Sequence, residues 1–147
     1  MPDSNPTTEQ LRAFLGRVRT IAVIGLSHDP DRPSYSVAMY LQEQGYRIIP
    51  VRPGGGEVLG EKVYERLADV PVQIDLVDLF RAPRFVAGHV DDAILAKAPA
   101  IWMQEGVIDH EAALRAREAG LFVVMDRCIL KEHRRAGMSP LDIAPPA

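Results

Sequence analysis

Apolar residues along this chain follow two alternating rhythms. Short, mostly apolar runs lie at Ile21 to Gly25, Tyr46 to Val51, Ile74 to Phe80, Ala100 to Met103 and Leu121 to Met125. Between them, apolar positions recur every three or four residues. Short runs closed by turn residues read as strands buried on both faces, and the longer period reads as one face of a helix. The first helix is expected from Thr7, which forms a capping box with Gln10, to about Arg19, with Leu11, Phe14, Leu15 and Val18 inward. Others are expected at 34–44, 63–70, from Pro83 with Phe85, Val86, Val90 and Ile94 inward, at 109–119 capped by Asp109, and at 128–135. Pro53-Gly54-Gly55-Gly56 reads as a loop.

Five short strands alternating with helices predict an α/β fold, a doubly wound parallel five-stranded sheet with helices on both faces. In such sheets ligands lie beyond the carboxyl ends of the strands, where the strand order reverses. That rule, applied to the expected strands, selects Gly25-Leu26-Ser27, Arg52-Pro53-Gly54, Phe80-Arg81, Gln104-Glu105-Gly106 and Asp126-Arg127-Cys128. The first of these is a strand, a Gly-containing turn and then a helix, the arrangement in which backbone N–H groups and a helix dipole meet a phosphate.

At 147 residues the chain fits a single domain, expected over 7–138, with disordered tails at 1–6 and 139–147. A net charge of −3 argues against a nucleic-acid or membrane-surface partner. Cys128 is the sole cysteine and cannot form an internal disulfide, and the start lacks the pattern of a signal peptide. No apolar run approaches the ~18 residues of a membrane span. These features predict a cytoplasmic protein.

The nucleotide can be narrowed. The dinucleotide fingerprint G-x-G-x-x-G is missing, since Ser27 stands where its second glycine belongs. An NAD protein places an acid at the end of the second strand, but here the residues are Pro50-Val51-Arg52-Pro53. A basic residue there suits an extra phosphate on the ribose, as in NADP or coenzyme A.

Five motifs then occur in order: Gly25-Leu26-Ser27, Val51-Arg52-Pro53-Gly54-Gly55, Val77-Asp78-Leu79-Phe80-Arg81, Trp102-Met103-Gln104-Glu105-Gly106-Val107 and Met125-Asp126-Arg127-Cys128. Together they resemble the small single-domain CoA-binding proteins, a family similar to the CoA-binding domain of the succinyl-CoA synthetase α subunit and ADP-forming acyl-CoA synthetases. The resemblance spans roughly residues 10–135 and implies a Rossmann-like fold with coenzyme A across the strand ends. It implies that Gly25 and Ser27, with Leu26 between them in the cofactor-binding junction, approach the diphosphate, and that Val51, Arg52 and Pro53 flank the 3′-phosphate. Leu79 and Phe80 would line the adenine side, with Arg81 nearby, and Gln104, Glu105 and Gly106 would face the pantetheine arm. Gly55 stands where the synthetases carry a CoA-contacting lysine, so Arg52 or Arg32 is the candidate to replace that charge. The synthetases also need a phosphohistidine domain, for which 147 residues leave no expected room.

Arg52 and Arg81 fit ordinary solvated arginines equally well. Trp102 is expected in the core. Cys128 is expected to be a buried structural thiol, because His133 lies on a different helical face. The Glu132-His133 pair reads as helix packing or a cap. Asp91 and Asp92 read as a solvated face, and the scattered histidines give no metal-ligand spacing. No nucleophile–base–orienter set is present, so a module without catalysis of its own is expected. It would bind CoA or an acyl-CoA, with a homo-oligomer or another protein as possible partner. The rivals are an NADP-binding redox enzyme or sensor and an interaction protein with a vestigial nucleotide site.

Overall fold

The computed structural model describes residues 5–143. The elements follow the predicted alternation: α1 (Thr8–Arg17), β1 (Thr20–Ile24), α2 (Pro33–Glu43), β2 (Arg47–Val51), β3 (Glu57–Val58), β4 (Glu61–Lys62), β5 (Leu76–Leu79), α3 (Val86–Leu95), β6 (Ala100–Met103), α4 (His110–Glu118), β7 (Phe122–Val124) and α5 (Ile129–Arg135). Five strands form one parallel sheet in the order β2-β1-β5-β6-β7. The chain leaves β1 outward to β2, then returns across β1 to build the other half. The order therefore reverses between β1 and β5.

Strand alternation explains why the runs are apolar throughout. Ala22, Ile24, Val77 and Leu79 point into a core layer under α3 and α4. Ile21, Val23, Leu76 and Trp102 point into the opposite layer, packed by α1, α2 and α5. With both faces covered, a polar residue in a central strand has nowhere to meet water. The Thr7–Gln10 capping box forms in both directions, and the Asp109 side chain accepts the Ala112 N–H. Trp102 is fully buried, with its indole N–H donating to the Arg127 carbonyl.

Three expectations are corrected. The helix expected over 63–70 is absent apart from a 3-10 turn at Leu67–Asp69. Instead β3 and β4 make a hairpin through Leu59 and Gly60, both at positive φ, and Tyr64 runs parallel to the end of β2. Val58 and Val63 are buried there, so this segment seals the open edge of β2. Pro83–Phe85 is a 3-10 turn preceding α3, and the tighter turn rotates Phe85 outward. Finally, residues 5–6 and 139–143 are packed. Asn5 exchanges two hydrogen bonds with the Met125 backbone, and Ser139 and Asp142 form a capping box whose aspartate pairs with Arg12. The outermost parts of the expected tails, residues 1–4 and 144–147, lie outside the described residues.

Candidate functional site

A cleft of about 930 Å³ opens at the carboxyl ends of β1, β2, β5 and β6, over the point where strand order reverses. Of the predicted residues, Gly25, Ser27 and Arg32 line it from the first junction and the loop before α2. Arg52 and Pro53 line it from the second junction, Phe80 and Arg81 from the third, Gln104 and Glu105 from the fourth. A volume of this size is at the upper end of ligand and cofactor sites.

Four predicted residues do not line the cleft. The side chains of Leu26, Val51 and Leu79 are buried, because alternation at the strand ends turns them into the core layers. Gly106 sits past the rim at positive φ, where its N–H donates to Asp126.

Gly25 shows why the first junction is shaped as it is. Its φ of +86° is hostile to other residues, and a Cβ there would lie 2.3 Å from the Phe80 carbonyl oxygen. Its N–H donates to Val51 while the Phe80 N–H donates to Ile24, so β1, β2 and β5 stay joined up to the cleft floor. Beyond it, the loop is fixed by short polar contacts. The Ser34 hydroxyl accepts the Ser27 N–H, and the Ser27 hydroxyl accepts the Asp29 N–H. The Ser27 hydroxyl proton is left for another acceptor.

Charge in the cleft is one-sided. Arg52 reaches back so that Nη1 donates to the Leu26 carbonyl at 3.3 Å, which holds its guanidinium over the β1–β2 boundary. Arg81 lies with its guanidinium 4.0 Å from the Phe85 ring centre, and Arg84 packs on the same ring. Glu105 is the sole acid among the described lining residues, and it is paired with Lys131 at 2.8 Å. Three arginines thus face a cleft of a protein whose net charge is −3.

The strand rule passed over several contributors. Pro33, Ser34 and Val37 enter from the first two turns of α2, and Ala82 and Val107 from just beyond their junctions. Cys128 is a correction: it is half-buried and lines the cleft from the N-cap of α5. The junction it belongs to was the available signal. Glu132 and His133 face inward from α5. Glu132 pairs with Arg135 at 3.1 Å, and His133 Nδ1 is 2.7 Å from the Tyr40 hydroxyl on α2. Burial lowers the His133 pKa and favours the neutral ring.

The most unusual residue is Asp78. Its carboxyl is fully buried in the centre of the sheet, and burial pushes its pKa up to about 7 against the opposing hydrogen bond from Gln104. Gln104 Nε2 donates to Asp78 Oδ1 at 2.6 Å, and Gln104 Oε1 accepts the Ile129 N–H at 3.3 Å. An acid inside Leu76-Val77-Asp78-Leu79 was the signal in the sequence, because such a strand is wet on neither face.

With this geometry in view, residues 19–134 match the family described as CoA binding domain. The chain belongs to that family. As a CoA binding domain it is 38% identical over 129 residues to the uncharacterized protein YneT of Bacillus subtilis, covering 88% of this chain and 96% of that protein. It shares its fold with the solved structure of a hypothetical protein from Pyrococcus horikoshii, with a TM-score of 0.88 and 40% identity over 92% of this chain and 95% of that one. It is homologous to the acetate–CoA ligase (ADP-forming) II subunit alpha of Pyrococcus furiosus, at 39% identity over 69 residues, 46% of this chain and 15% of that subunit. Among the described residues of the domain, no helix is long and apolar enough to cross a membrane, and no cluster of His, Cys, Asp and Glu is arranged for a metal.

Proposed function

We propose that the chain binds coenzyme A, or an acyl-CoA, in the strand-end cleft and acts as a binding or regulatory module without chemistry of its own. The observation that carries this reading is the cationic cleft at the reversal of strand order, with Arg32, Arg52 and Arg81 facing it and its one described acid neutralised by Lys131. Coenzyme A carries three phosphates, and guanidinium groups are well suited to receive them. In this reading Gly25 and Ser27 meet the diphosphate, Arg52 the 3′-phosphate, Phe80 and Arg81 the adenine side, and Gln104 with Glu105 the pantetheine arm. The Arg52 guanidinium, braced on Leu26, takes the place of the lysine that Gly55 does not supply.

Isothermal titration of wild type and Arg52→Ala with CoA and dephospho-CoA tests it. Loss of one charged hydrogen bond, about 1.5–3 kcal/mol, should weaken CoA binding by roughly 10- to 100-fold. Dephospho-CoA binding should change little, since that molecule lacks the 3′-phosphate. Equal losses for both ligands would remove Arg52 from that role, and NADP binding in place of CoA would assign the site to another nucleotide.

A further inference from the structure

Asp78 makes no contact with solvent, and its Oδ2 has no hydrogen-bond partner among the described residues. Burying a carboxyl this way is costly, and an apolar residue would satisfy the fold better. Among the described residues its only side-chain partner is Gln104, which lines the cleft. The donor and acceptor order of this chain of contacts is not free. The Ile129 N–H is a backbone group and can only donate, so the Gln104 atom beside it is the carbonyl oxygen. The Gln104 amide nitrogen then faces Asp78, whose Oδ1 must accept. A proton on Asp78 therefore resides on Oδ2. The amide is held at both ends, and Nε2 keeps one further N–H.

We propose that Asp78 is a positioning residue: with the Ile129 N–H it locks the Gln104 side-chain amide in one orientation, so that the remaining Nε2–H is a donor for a carbonyl oxygen of the bound ligand. This rests on the reading of the cleft as a CoA site. The ligand class selected is one presenting an amide or thioester carbonyl at the pantetheine end. The side chains of Val107 and Cys128, which line the cleft with Gln104, carry no amide or hydroxyl donor. Glu105 is only an acceptor and is taken up by Lys131.

The test compares CoA with adenosine 3′,5′-bisphosphate, which has the phosphates nearest the adenosine and no pantetheine arm. Wild type, Asp78→Asn, Asp78→Leu and Gln104→Leu are titrated calorimetrically, with a melting curve for each variant. Asp78→Leu and Gln104→Leu should each weaken CoA binding roughly tenfold, the effect of about one hydrogen bond. Bisphosphate binding should be unchanged in both. Asp78→Asn should stay within a few-fold of wild type for CoA, because its Oδ1 can still accept from Gln104. Equal losses for both ligands in a folded Asp78→Leu, undiminished CoA binding in that variant, or no rescue by Asp78→Asn would overturn the positioning role. Absence of CoA binding in the wild type would instead overturn the reading of the cleft, and the inference with it.

Discussion

At the scale of single residues, Gly25 at the cleft and Asp78 beneath it, bonded to the cleft-lining Gln104, both stand against ordinary preferences. Gly25 cannot accept a side chain, because the strand ends of β1 and β5 come together at the Phe80 carbonyl. Gly25→Ala should cost at least about 2 kcal/mol through backbone strain and that contact, visible as a lowered midpoint in urea. Asp78 carries its cost as a titration. A carboxyl whose folded pKa is raised from 3.8 to about 7 binds more protons in the native state than in the unfolded state between those values. Stability from this group therefore falls as pH rises from about 4 through about 7, and is constant above that, by roughly 3–5 kcal/mol in all. His133 works in the opposite sense, since burial lowers its pKa below 6.5. Its contribution is lost as pH falls below about 6.5. Urea unfolding of wild type and Asp78→Asn across pH 4–8 separates the two. The variant should lose the decline toward neutral pH and be the more stable protein at pH 8; parallel curves would mean that Asp78 does not titrate there.

At the scale of elements, α5 shows what the Glu132-His133 pair, read from the sequence as helix packing or a cap, does. Its His133 is bonded to Tyr40, which pins the helix to α2, while Glu132 is tied to Arg135 within α5 itself. Tyr40→Phe removes the partner of His133 Nδ1 and should destabilise the protein by about 1–3 kcal/mol, measured by denaturant unfolding; no loss would mean that the bond adds nothing net. The parallel strands and capped helices were legible because burial on both faces, the Thr7–Gln10 box and Asp109 are local signals. The hairpin was not. Leu59-Gly60 lacks the Asn or Asp that marks such turns, and Val63 with Tyr64 is held extended by the distant edge of β2. In the site, the strand rule found the junctions but not which way their side chains turn. Leu26, Val51 and Leu79 belong to the core, while Cys128 comes to the cleft from the helix cap. Asp78 was visible as an acid in an apolar run, yet its link runs from β5 to Gln104, just past the end of β6, and needs the folded register of those two strands.

At the scale of the whole molecule, a net negative chain gathers arginines where its sheet reverses order. A polyphosphate ligand held by such a cleft should bind more weakly as salt is raised, because exposed charges are screened over about 10 Å at 0.1 M. The central claim is that coenzyme A occupies this cleft. Its most direct test is a nitrogen-edited NMR titration of the protein with CoA, following every backbone amide. Shifts should centre on Gly25 to Ser27, Arg52, Phe80 to Ala82 and Gln104 to Glu105, with the start of α5 included through Ile129. Saturating CoA with no shifts at those amides, or with shifts gathered on another face, would contradict the account.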